Sequence, residues 1–178
     1  MRPTRLLLLL LLFLPLVISL LLIWPSPGQA LSVDVSTSAQ ARGWGKIFEW
    51  APCVGVHPAK EASLATGKPA MVILHRSACS PCYTLKQTFT KNNELQRLSK
   101  NFALINCNST EEPPGKLYAP DGDYVPRILF FGADGNPHPE IFNRLGKAEY
   151  KYYYVDAPSV VEGMLEAAVA LRGDHAEL

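Results

Sequence analysis

Neither sign of charge is in surplus. Seventeen Lys+Arg stand against sixteen Asp+Glu in 178 residues, a formal net charge of +1, and no basic patch interrupts the balance, so nothing calls for a nucleic-acid partner. No internal repeat is visible, and the length with 48% apolar residues suits one globular domain. Cysteine is scarce. Two of the four form Cys79-Ser80-Pro81-Cys82, while Cys53 and Cys107 stand alone. A zinc site needs two more ligands at short spacing than this pattern offers, and His75 falls at the end of a strand that reads as buried, so no metal is expected.

What the chain does have is a change of hydrophobic period around those two cysteines. Met71-Val72-Ile73-Leu74 is an unbroken apolar run after Pro69, as in a strand buried on both faces. From Cys82 onward Leu85, Phe89, Leu95 and Leu98 read as one helical stripe. A strand entering a helix through Cys-x-x-Cys puts Cys79 at the helix N-terminus, where unpaired N–H groups and the helix dipole favour a thiolate. Cys82, one turn in, is placed to attack a mixed disulfide on Cys79. Pro81 stiffens that turn and has no N–H to lose.

At the start, Arg2 and Arg5 precede an apolar tract from Leu6 to Trp24, followed by Ser26-Pro27-Gly28-Gln29-Ala30. Residues 1–30 read as a secretory signal cut after Ala30; an uncleaved anchor is the alternative. Either delivers the rest to an oxidising compartment. Residues 31–42 are small and polar, a flexible lead-in, and Trp44, Ile47, Phe48 and Trp50 then cap the core.

Farther along, His57 to Ala65 reads as a helix with Pro58 in its first turn, Gly67 as its C-cap and Pro69 as a stop. Phe102 to Cys107 reads as a strand parallel to the first, joined to it by a βαβ crossover. Asn108-Ser109-Thr110 is an N-glycosylation acceptor pattern. Pro126 opens the strand that runs to Phe131. Ala133-Asp134-Gly135-Asn136 predicts a hairpin returning as an antiparallel strand over His138–Phe142. After Asp156 as N-cap, Val160, Val161, Met164, Leu165, Ala168 and Leu171 predict a helix over the sheet.

MVILHRSACSPC, APDGDYVPRILF, HPEI and YKYYYV, in this order, resemble the small endoplasmic-reticulum thioredoxin-like proteins of the anterior gradient family from Gly43 to Gly173. The resemblance implies an α/β thioredoxin-like fold over residues 43–173, a central mixed β-sheet flanked by helices. It implies a lumenal thiol–disulfide oxidoreductase with Cys79 as nucleophile, Cys82 as resolving thiol and Val125-Pro126 as a cis-proline substrate loop. The redox-active Cys79–Cys82 disulfide then takes the place of a cofactor, and the partners are cysteine-containing secretory client proteins. A lumenal chaperone or client-binding module and a secreted interaction protein are the alternatives, and a homodimer stays open. Ala78 stands where thioredoxin-like proteins usually carry Trp, while both cysteines, which some members of the family lack, are kept. Ser80-Pro81 resembles the Gly-Pro of reducing thioredoxins. In the tail, residues 174–178, His175-Ala176-Glu177-Leu178 resembles the His-Asp-Glu-Leu signal read by a retrieval receptor. That ending places the protein in the reticulum lumen, with secretion as the alternative.

Overall fold

Residues 40–171 are described by the computed structural model. The expected signal tract, most of the lead-in and the retrieval-like ending lie outside the described residues. Within them, β1 (Trp50–Ala51), β2 (Ala70–His75), β3 (Ala103–Asn108) and β4 (Arg127–Phe131) form one mixed sheet in the order β1-β3-β2-β4. The apolar run around Met71–Leu74 is its axis. β2 is buried at all six positions, parallel to β3 from Ala70↔Ala103 to His75↔Asn108 and antiparallel to β4 from Ala70↔Phe131 to Leu74↔Arg127.

Alternation along these strands sorts their side chains onto two faces. On one, Met71, Ile73, Leu104, Ile128 and Phe130 pack against Leu85 and Phe89 of α2 (Ser80–Phe89), Leu95 and Leu98 of α3 (Asn93–Ser99), and Val160 and Met164 of α4 (Ala157–Ala170). On the other, Val72, Leu74, Ile105, Cys107 and Leu129 meet Ala59 and Ala62 of α1 (Pro58–Thr66), with Tyr118 and Tyr152. α1 ends where expected: Gly67 takes φ +67°, a left-handed turn that suits glycine, and its N–H donates to Ser63 O at 2.8 Å.

Several elements differ from the sequence reading. The stripe from Leu85 to Leu98 belongs to two helices. At about 100° per residue, Leu95 lies six positions and so roughly 240° round the helix from Phe89, and one straight helix would not aim both at the sheet. The chain breaks at Asn92, whose side chain caps α3 by accepting from Leu95 N–H at 2.8 Å. The returning strand of the hairpin is missing. The turn forms, with His138 N–H donating to Phe130 O at 3.0 Å, but pairing is confined to one bridge, Phe131↔Pro137. Pro139 then opens a new turn closed by Ile141 N–H to His138 O at 3.1 Å, with proline at its favoured second position.

Ile47 and Leu165, expected to be covered, are 63% and 44% exposed. Trp44, Phe48 and Trp50 are buried as expected, and Trp44 and Phe48 pack edge-on against Phe89. The last residues assigned to the lead-in are docked. Ala41 is buried, Gln40 O accepts from Asn106 Nδ2, and Arg42 donates to Asn106 O and pairs with Glu111. The Gln40 carbonyl and the Arg42 guanidinium found partners on β3 and in the loop after it, out of reach of a local reading.

Cys53 and Cys107, unassigned in the sequence, form a disulfide with Cα atoms 5.4 Å apart, tying the segment after β1 to β3. It closes a separation of 54 residues, and removing such a cross-link costs roughly 2–4 kcal/mol. The variant with both cysteines replaced by Ala is expected to unfold at lower urea by that margin, with the Cys79–Cys82 bond still formed. An unchanged midpoint would show that the cross-link adds nothing to stability.

Candidate active site

Cys79 ends the loop from β2 and is the N-cap of α2, with φ −122° and ψ 106°; its Sγ accepts from Cys82 N–H at 3.1 Å. The two sulfurs are bonded to each other across a Cα separation of 5.2 Å. Their surroundings differ. Cys82 is buried in the helix stripe, whereas Cys79 is only partly covered and lies between exposed Ala78 and Ser80. A thiolate on Cys79 is stabilised by the amide already aimed at its sulfur and by the helix N-terminus.

Facing Cys79 is the loop before β4. The Val125–Pro126 peptide is cis, Val125 O lies 3.8 Å from Cys79 Sγ, Val125 is half-buried and Pro126 buried. A residue the sequence reading did not single out holds this loop. Arg127 is fully buried; its guanidinium donates to Tyr118 O at 3.1 Å and to Tyr124 O, and pairs with Glu112. The sequence signal was a cation heading the apolar run Ile128–Phe131, which requires a buried partner. Tyr124 OH donates to Asp121 and accepts from Tyr152 N–H at 3.0 Å, and burial with the Asp121 carboxylate pushes its pKa up. Beyond Tyr124 a cavity of about 660 Å³ is lined by Leu145, Tyr150, Tyr153, Val155 and the start of α4. The tyrosine run is divided: Tyr152 and Tyr154 are buried, and Tyr150 and Tyr153 line the cavity.

Beneath the junction β2 ends in His75, which is buried, packs edge-on against Trp44, and shares a hydrogen bond of 3.3 Å with Asn106 Oδ1 through Nε2. Burial first, and then the charge of Lys86, lower its pKa from 6.5 to about 4. Lys86, on α2 four residues after Cys82, donates to Arg42 O at 3.1 Å and lies over the Trp44 ring; its own pKa is lowered by burial. Folded His75 resists the proton that the unfolded chain accepts near pH 6.5. Stability is therefore complete above that pH and falls as the pH drops toward 4. We expect a loss of roughly 2 kcal/mol between pH 7.5 and pH 5, read as the urea midpoint at each pH. A His75→Gln variant should flatten that dependence, and an unchanged slope would assign it to other groups.

Asn108 ends β3 opposite His75, and its Nδ2 donates to Ser77 Oγ at 3.2 Å. Three of the elements singled out in the sequence, namely the Cys79–Cys82 pair, the Val125–Pro126 loop and the acceptor asparagine, therefore lie around one end of the β2/β3 pair.

A Thioredoxin-like family model matches residues 54–133. Anterior gradient protein 3 of Mus musculus is 33% identical over 136 residues, covering 75% of this chain and 79% of that protein. The chain belongs to the anterior gradient family. The Homo sapiens anterior gradient protein 2 homolog is 32% identical over 132 residues, covering 74% of this chain and 73% of its own. A solved disulphide isomerase from Xylella fastidiosa Temecula1 overlaps 45% of this chain and 65% of its own at 20% identity, with a TM-score of 0.35. Membership of the family accounts for the thioredoxin-like fold, a four-stranded mixed sheet with helices on both faces. In this anterior gradient chain the Cys53–Cys107 bond lies apart from the Cys79–Cys82 junction, on the face of the sheet covered by α1.

Proposed function

We propose that the protein is a thiol–disulfide oxidoreductase of the secretory pathway, exchanging disulfides with cysteine-containing client proteins through Cys79 and Cys82. The observation that carries this is the asymmetry of the pair: Cys79 is partly exposed at a helix N-cap and faces Val125, while Cys82 is buried one turn behind it. In the reducing direction the Cys79 thiolate attacks a client disulfide. One client sulfur leaves as thiolate and a mixed disulfide forms. The Cys82 thiolate then attacks Cys79 Sγ, the second client thiolate departs, and the Cys79–Cys82 bond closes. Oxidation of a client dithiol runs the same steps backward.

In this reading the backbone of Val125, whose carbonyl lies 3.8 Å from Cys79 Sγ, pairs with an extended client segment, the main-chain recognition that a sheet edge offers. The signal-like residues 1–30 and the retrieval-like His175–Leu178 support lumenal residence, the latter through a retrieval receptor. A client-binding module is the second reading, favoured by the apolar cavity beside Tyr124, where Leu145 is 76% and Val155 51% exposed.

Turnover of a disulfide-bonded client by purified protein in a glutathione buffer tests the proposal. Exchange well above that of a Cys79→Ser control is expected. Client binding without such exchange would leave only the second reading. The equilibrium of the Cys79–Cys82 pair against glutathione then sets the direction, about 30 mV corresponding to roughly 1.4 kcal/mol.

A further inference from the structure

We infer that Asn108 carries an N-linked glycan that stands at the rim of the Cys79 site and narrows access to it, passing small thiols and flexible segments while hindering bulky folded clients. This rests on the lumenal reading above, because transfer of the sugar occurs on that side of the membrane.

Asn108-Ser109-Thr110 satisfies the acceptor pattern, with neither Ser109 nor the following Glu111 a proline. The pattern lies at the surface: β3 ends at Asn108, which is half-exposed, and Ser109 and Thr110 are exposed in the turn closed by Glu111 N–H to Asn108 O at 2.8 Å. The amide is oriented rather than loose. Oδ1 accepts from Ser109 N–H at 2.9 Å, and Nδ2 donates to Ser77 Oγ at 3.2 Å.

An asparagine amide nitrogen has two N–H groups. Ser77 engages one, so replacing the other by a sugar carbon leaves the observed hydrogen bond intact and the glycan compatible with the folded site. In the transfer, Nδ2 forms a bond to C1 of the first sugar of a lipid-linked pyrophosphoryl oligosaccharide. The C1–oxygen bond breaks, the lipid pyrophosphate leaves with the bonding pair, and one amide proton is released. No redox change is involved.

Position makes the modification more than decorative. Ser77 precedes Cys79 by two residues, at most about 7 Å of extended chain, so a sugar rooted beside Ser77 is anchored close to the reactive sulfur. A bulky, hydrated group there competes for space with any folded surface approaching Cys79. The bland alternative is that the asparagine only caps the end of β3 and that the pattern arose by chance.

The full chain, made in a secretory host, distinguishes the two. Wild type is compared with Thr110→Ala, which destroys the acceptor pattern but leaves Asn108 and its contact with Ser77. Digestion with a peptide-N-glycosidase should lower the mass of wild type by one glycan and leave Thr110→Ala unchanged. In the reduced proteins, alkylation of Cys79 by iodoacetamide should proceed equally in both, whereas a polyethylene-glycol maleimide should react several-fold more slowly with glycosylated wild type. Absence of the mass shift, or equal rates with the bulky reagent, overturns the inference. Because alkylation needs no client turnover, failure of the oxidoreductase reading would show separately, as lost exchange with glutathione disulfide.

Discussion

Replacing Cys79 by Ser is expected to abolish disulfide exchange, and replacing Cys82 by Ser to convert the protein into a trap that accumulates client adducts through Cys79. The two cysteines are close in sequence but not equivalent. Cys79 has the helix N-terminus, the Cys82 amide at 3.1 Å and partial exposure; Cys82 is 1% exposed and is bonded to the Cys79 sulfur itself. The other two cysteines are bonded to each other and buried, so neither supplies a substitute thiolate. With Cys82 gone, a mixed disulfide forms by the same attack but loses its intramolecular exit. Non-reducing gels of the Cys82→Ser variant should show adducts that vanish on reduction and are absent from the double variant. Adducts on Cys79→Ser instead would reverse the roles.

The second large effect lies behind the loop that faces the site. Glu112→Ala is expected to destabilise the fold by about 3 kcal/mol, because it leaves a buried guanidinium with only the exposed Asp123 carboxylate, 3.5 Å away, as its counter-charge. Arg127 is 0% and Glu112 15% exposed at the side chain, so little solvent replaces the lost partner. Arg127 also donates to Tyr118 O and Tyr124 O, the latter one residue before Val125. Loss of the pair should therefore slow client exchange as well as lower the urea midpoint. Combining Glu112→Ala with Arg127→Met should restore much of the stability, since the unpaired charge goes with the arginine. Exchange should not recover to the same degree, because the loop has lost its donors. Additive losses in the double variant would show that the two side chains are not coupled.

Both effects bear on how much could be seen in advance. The Cys79–Cys82 junction was legible because its cues are neighbours in the chain: an apolar run after Pro69, two cysteines at a spacing of three, and a proline where a helix tolerates it. Gly67 and Asp156 were legible on the same ground, each acting on amides within a turn of itself. Asn92 was passed over although its cap is equally local, because the apolar positions on either side of it mimic a continuous stripe until their phase is followed through six residues. At His138 the turn signal was read correctly and the strand after it was not, since Pro139 favours a new turn over further pairing.

By itself, then, the sequence determined where strands and helices begin around the cysteines, which sulfur lies at a helix N-terminus, and that the strand before Cys79 is buried on both faces. These follow from dihedral preference and hydrophobic period, properties that each residue shares with its nearest neighbours. Only the tertiary structure decided that Cys53 meets Cys107, that Glu112 neutralises Arg127 beneath the loop before β4, that Arg42 and Gln40 dock on Asn106, and that Asn108 comes to rest against Ser77. Each of these joins groups that no local preference selects. They are brought together because the parallel β2/β3 pairing fixes which chain ends share an edge, and because a buried polar group such as Asn106 or Arg127 must find whatever partner the packing has placed within reach.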